Sequence, residues 1–172
     1  QLDLSGLKDR NAILEKIHQE HLASDPTRSI IGINYETEWL PKGQQLTEND
    51  LLQAAPGRFI QVSDRSLHMS VTTRQTLAHA GIPLIPSDCC DCKAPCPLPV
   101  TFTGEISGWT NFTLHNFMQS KLRTPEGLKA AWDHAAAVAA AHGVTSIHAI
   151  VRESEMHSLL DYQSRLPIDL RI

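Results

Sequence analysis

The run Arg58-Phe59-Ile60-Gln61-Val62-Ser63-Asp64-Arg65-Ser66-Leu67-His68-Met69-Ser70-Val71-Thr72 decides the fold. Two β-prone segments, residues 58–62 and 66–72, flank the polar trio Ser63-Asp64-Arg65, the pattern of a hairpin. Upstream, residues 8–23 have helical spacing, with Ile13, Leu14 and Ile17 on one face, and Asp25-Pro26 ends the run. Residues 29–35 carry Ile30, Ile31 and Ile33 and predict a strand, and residues 2–4 a short one. Thr47 is the expected N-cap of a helix to residue 55, with Asp50 at the capping-box position.

Downstream, a short helix is expected at 73–80, closed by Gly81. Residues 82–99 hold five prolines and all four cysteines and predict a long loop. Residues 100–106 and 111–117 are expected as strands around Ser107-Gly108. The clearest element is a helix over 125–142: Thr124 caps it, Pro125 fits its first turn, alanine fills its body, and Gly143 closes it. A strand at 146–151, a helix from Ser154 to about residue 165 and a strand at 168–172 complete the chain. The expectation is an α+β fold with antiparallel sheets, flanking helices and a long Cys/Pro-rich loop. It forms one domain over residues 1–172, built as two small, pseudo-repeated lobes, about 1–98 and 99–172.

The chain has 172 residues, of which 41% are apolar and only 5% aromatic, so its core rests on Leu, Ile, Val and Ala. The net charge of −4 argues against a generic duplex-DNA or membrane surface. No apolar run approaches the ~20 residues that span a bilayer. The N-terminus shows no signal-peptide pattern, and a start at Gln1 rather than Met leaves room for a trimmed leader. Cysteines confined to positions 89–96 cannot staple distant segments, which favours a reducing, cytoplasmic setting and metal or redox chemistry.

Two histidines sit in apolar, β-prone runs: Leu67-His68-Met69-Ser70-Val71 and Ile147-His148-Ala149-Ile150-Val151-Arg152. Histidine changes charge near neutral pH, so a pair facing one cleft supplies a base and an acid. These runs resemble the two His-hydrophobic-hydroxyl-hydrophobic strands of the 2H phosphoesterase superfamily, the LigT-like enzymes. The lead-in turn from Val62, the run Pro99-Val100-Thr101-Phe102-Thr103 with Gly108, and the helix before His148 are similar to that family over most of residues 58–165. The second motif is degenerate, because Ile150 stands where a hydroxyl is expected.

The resemblance implies a hydrolase that opens a cyclic phosphate on RNA or a nucleotide. His68 and His148 would be its acid/base pair, Ser70 a phosphate contact and Arg152 a charge-assisted one. The bland alternative is that each histidine simply fills a strand.

Cys89-Cys90-Asp91-Cys92-Lys93-Ala94-Pro95-Cys96-Pro97 supports a second function. Its C-x2-C-x3-C-P spacing matches part of a ferredoxin run, while Cys89 and Cys92 have zinc-knuckle spacing. Cys89, Cys92 and Cys96, completed by Cys90 or a histidine such as His68, His79 or His115, would hold zinc or an iron–sulfur cluster in a metal-binding accessory or redox protein. A third reading is a non-catalytic interaction module. His18 and His21, at i and i+3, are better explained by packing than by a metal. The expected ligand is a small molecule or an RNA-end phosphate, and the sequence leaves the oligomeric state open.

Overall fold

The structure is a computed structural model describing residues 1–83, 102–120, 124–148, 156, 159–160, 163 and 167–171, the side chains of 170 and 171 excepted. It divides into two compact units, Gln1–Ser120 and Lys121–Ile172. The α+β class expected from the sequence is the observed one.

The first unit is built on a five-stranded sheet in the order β1-β2-β3-β4-β5. Its strands are β1 (Leu2–Asp3), β2 (Ile30–Tyr35), β3 (Ile60–Asp64), β4 (Met69–Thr72) and β5 (Glu105–Ser107). The helices are α1 (Arg10–Ala23), α2 (Glu48–Ala54), α3 (Arg74–His79) and α4 (Gly108–Ser120). The sheet is mixed, which corrects the all-antiparallel expectation: β1, β2 and β3 run parallel, and only β3–β4 and β4–β5 are antiparallel. The physical reason is connectivity. Helices α1 and α2 lie between successive strands, and a helical crossover returns the chain in the direction it left.

The hairpin expected over residues 58–72 is present, with Ser63 opposite Ser70 and Gln61 opposite Thr72. Its turn falls at residues 65–68, further along the chain than the polar trio at 63–65 predicts.

Several local devices follow from particular residues. Thr47 accepts from the Asp50 N–H while the Asp50 carboxylate accepts from the Thr47 N–H, completing the expected capping box. Arg10 adds a salt bridge to that carboxylate. The core joins Ile13 and Ile17 of α1 to Leu51 of α2 and to Ile30, Ile60 and Val62 of the sheet.

Buried Glu48 accepts from the Arg74 N–H at 2.6 Å and from Arg74 Nε at 3.1 Å, fixing α2 to the start of α3. The Glu48 N–H donates to the Thr103 carbonyl at 2.7 Å. A Cβ on Gly104, whose φ is +113°, would stand 2.5 Å from the Glu48 nitrogen, so only glycine permits this approach.

A second correction concerns residues 111–117, expected as a strand. They lie in α4, where Thr110, Asn111, Leu114 and Met118 are buried at helical spacing. Its aromatic and β-branched residues suit a strand locally, and burial of this face decides otherwise.

In the second unit, α5 (Pro125–Ala141) starts at Thr124, whose hydroxyl accepts from the Gly127 N–H at 3.0 Å. Strands β6 (Ser146–His148) and β7 (Asp169–Arg171) pair in parallel, and residues 156, 159–160 and 163 between them are helical. The cysteine loop, with Cys89, Cys90, Cys92 and Cys96, and Arg152 lie outside the described residues.

Candidate functional site at the carboxyl edge of the sheet

In parallel sheets the loops beyond the carboxyl ends of the strands gather at one edge, where ligands commonly bind. Here that edge holds a cleft of about 300 Å³ lined by Tyr35, Glu36, Thr37, Glu38, Asp64, Arg65 and Ser66. These residues end β2 and β3, and the adjoining turn carries His68. A second, water-sized cavity of about 10 Å³ shares Tyr35, Thr37 and Asp64 and adds Ser70 and Glu105.

The electrostatics are mixed. Glu36 faces Arg65 at 3.6 Å, and the Arg65 side chain is 75% exposed, so its guanidinium remains available to an anion. The Asp64 carboxylate is engaged by the Ser66 hydroxyl at 2.6 Å and the Met69 N–H at 3.2 Å. The buried Tyr35 hydroxyl accepts from the Leu46 N–H at 3.0 Å. Burial pushes the Tyr35 phenol above its ordinary value, and the charges of Glu105 and Asp50 add to the rise.

His68 is exposed on the turn, its N–H donating to Ser66 Oγ at 3.1 Å. Ser70 is 1% exposed. Its hydroxyl donates to Asn111 Oδ1 at 2.6 Å, accepts from Gln61 Nε2 at 3.1 Å and meets Ser63 Oγ at 2.9 Å. This places Ser70 in an internal network beneath the turn. His148 ends β6 in the second unit, exposed, in register with Arg171. His68 and His148 therefore belong to different units.

Other histidines and an aromatic pair have structural places. His18 Nδ1 meets the Ala54 carbonyl at 3.0 Å, joining α1 to α2. The rings of His18 and His21 are 6.2 Å apart. His142 caps α5 and meets the Val138 carbonyl at 2.8 Å. Trp109 stacks on Phe112 at 5.2 Å, and both are more than 40% exposed.

The sequence reading missed Glu36 and Glu38 entirely and treated Asp64 and Arg65 only as turn residues. The available signal was the alternation of strand and helix from residue 29 to 62, which places position 36 just past a parallel strand. Among the described residues, no three His, Cys, Asp or Glu side chains converge to hold a metal ion. Among them too, no helix is long and apolar enough to cross a membrane.

No family model matches the chain, and no curated protein sequence matches it. Two solved structures share its fold. One is an uncharacterized metal-dependent hydrolase from Pyrococcus horikoshii, with a TM-score of 0.63 and 18% identity over 99% of this chain and 32% of that one. The other is an uncharacterized metal-dependent hydrolase from Pyrococcus furiosus, with a TM-score of 0.60 and 20% identity over 99% of this chain and 33% of that one. The chain thus spans about a third of the length of the structures it matches.

Proposed function

We propose that this chain is part of a hydrolase whose substrate meets the carboxyl edge of the first sheet, with His68 as a proton-transfer group at the rim of the cleft. The observation carrying this reading is the cleft itself, formed by the ends of two parallel strands and continuous with the turn on which His68 is exposed. The fold likeness to two metal-dependent hydrolases over nearly the whole chain supports the class.

In its finer form the substrate is a cyclic phosphate on RNA or a nucleotide. A base takes a proton from water as the new O–P bond forms. An acid returns a proton to the ribose oxygen as its P–O bond breaks. His68 serves in one role and His148 is the candidate for the other. Arg65 is the cation the cleft offers to the phosphoryl oxygens, and Arg152 is a further candidate. With Ser70 held by Asn111 and Gln61, its hydroxyl acts in this scheme through the turn.

The neighbours' names also raise a metal. Among the described residues no three His, Cys, Asp or Glu side chains form a ligand set. The candidate ligands for zinc or an iron–sulfur cluster remain Cys89, Cys92, Cys96 and Cys90.

The test measures hydrolysis of 2′,3′-cyclic nucleotides and of simple esters by the wild type, His68→Ala and Arg65→Ala, with elemental analysis of protein purified without added metal. The expected result is activity that falls on the order of 10²-fold or more in His68→Ala. Equal rates in wild type and His68→Ala remove His68 from the reaction. Metal bound at one equivalent and lost in Cys92→Ala supports the cysteine site, and metal-free protein rejects it.

A further inference from the structure

Leu67 has φ +62°, in the left-handed region where a non-glycine residue is uncommon and a bulky one strained. It follows a tight turn closed by its own N–H donating to the Asp64 carbonyl at 3.1 Å. In such hairpins this position is ordinarily glycine or asparagine. A leucine there must be held by its surroundings.

One group in this structure does so. Asn111, 2% exposed in the first turn of α4, donates from Nδ2 to the Leu67 carbonyl at 2.9 Å. Its Oδ1 accepts from Ser70 at 2.6 Å and Gln61 at 3.2 Å. The task needs a donor at one end of a short planar group and an acceptor at the other, which among side chains of this length only asparagine supplies. From the opposite side, Asp64 binds the Ser66 hydroxyl and the Met69 N–H. The peptide joining Leu67 to His68 is thereby clamped between α4 and the end of β3. His68 makes no side-chain hydrogen bond among the described residues, so this backbone alone sets where its side chain starts.

We infer that Asn111 is a positioning residue for His68. It acts through the carbonyl of Leu67 and holds the strained turn that carries the imidazole. The inference rests on the proposed role of His68 for its catalytic consequence and on geometry alone for its backbone consequence.

The test uses the 172-residue chain with Asn111→Asp, which keeps the size and loses the donor, and with Asn111→Ser in case the charge prevents folding. Ser63→Ala is the control, because it removes a network bond that does not reach Leu67. NMR reads the strong intraresidue HN–Hα contact that marks a positive φ at Leu67, together with the His68 ring signals. The expected result is loss of that contact and a shift of the ring signals in the Asn111 variants, with both retained in Ser63→Ala. Activity should fall in kcat, on the order of 10²-fold, with KM little changed. Leu67→Asn, which tolerates the left-handed conformation, should restore much of it when combined with Asn111→Ser.

An unchanged Leu67 contact in the Asn111 variants overturns the inference, as does an equal loss in Ser63→Ala. If His68→Ala has wild-type activity, the role of His68 fails, while the Leu67 contact still decides whether Asn111 holds the turn.

Discussion

The turn carrying His68 and the strand end carrying His148 present the same side chain by opposite means. His68 sits above a buried polar network of Gln61, Ser63, Ser70 and Asn111, drawn from β3, β4 and α4. His148 ends a three-residue strand whose residues are exposed or half-buried. It follows α5, whose one buried residue is Ala136. The first region owes its shape to contacts distant in sequence. The second owes its order, among the described residues, chiefly to local signals: a threonine cap, a proline at the helix start and an alanine-rich body. Local signals make an element recognisable, whereas distant contacts make a geometry specific enough for chemistry.

The largest test of this contrast is core truncation. Ile60, fully buried in β3, should cost about 2–5 kcal/mol when replaced by alanine. Val138 on α5, 45% exposed, should cost less than about 0.5 kcal/mol in the same exchange. Urea unfolding of both variants checks the pair, and comparable losses would break the comparison.

Tyr35 sharpens it further, because it belongs to both the core and the cleft. Removing its hydroxyl in Tyr35→Phe strands the Leu46 N–H and should cost about 1–3 kcal/mol. Its phenol is raised in the folded state, chiefly by burial. The folded protein therefore favours the protonated form, so the contribution is complete below the unfolded value of about 10 and is lost as pH rises through the folded one. Wild-type stability should fall more steeply above about pH 10 than that of Tyr35→Phe. Parallel pH profiles in alkaline denaturation would refute the assignment.

The two helix caps give a smaller difference. Thr47→Ala breaks a reciprocal box that also anchors Arg10 through Asp50 and should cost about 1–2 kcal/mol. Thr124→Ala removes one hydroxyl contact at an exposed helix start and should cost about 0.5–1 kcal/mol. Thermal melts with equal shifts would mean that the tertiary tie to Arg10 adds nothing.

The same contrast explains which features the sequence disclosed. Helices α1, α2 and α5 were legible because each has caps or a face spelled out within a few neighbouring residues. The β3–β4 hairpin was legible from its alternation around Asp64 and Arg65. Helix α4 was not, because Phe112, Thr113 and Phe117 suit strands individually, and only the joint burial of Asn111, Leu114 and Met118 selects a helix. The parallel pairing of β1 to β3 was overshadowed by the hairpin, although the intervening helices implied it. His68 was legible as a candidate, but its setting was not. The Asn111–Leu67 bond joins positions 44 apart, and Leu67 gives no sign in sequence of adopting a positive φ.

The smallest expected effect lies on the surface of α5. Lys129 and Asp133 form an i,i+4 pair at 2.9 Å, with side chains 54% and 47% exposed. Lysine precedes the acid here, the less favourable order relative to the helix dipole. An exposed pair of this kind contributes about 0.2–0.5 kcal/mol. Lys129→Ala removes it but introduces the strongest helix former, which returns a few tenths of a kcal/mol. The net change in helix stability should therefore be close to zero at low salt and slightly stabilising in about 1 M salt, where the ion pair is screened. Circular dichroism during thermal unfolding at both salt concentrations measures this. A loss above about 1 kcal/mol, well outside the range of an exposed pair, would show that α5 depends on more than its own local signals and would erase the distinction between the two regions.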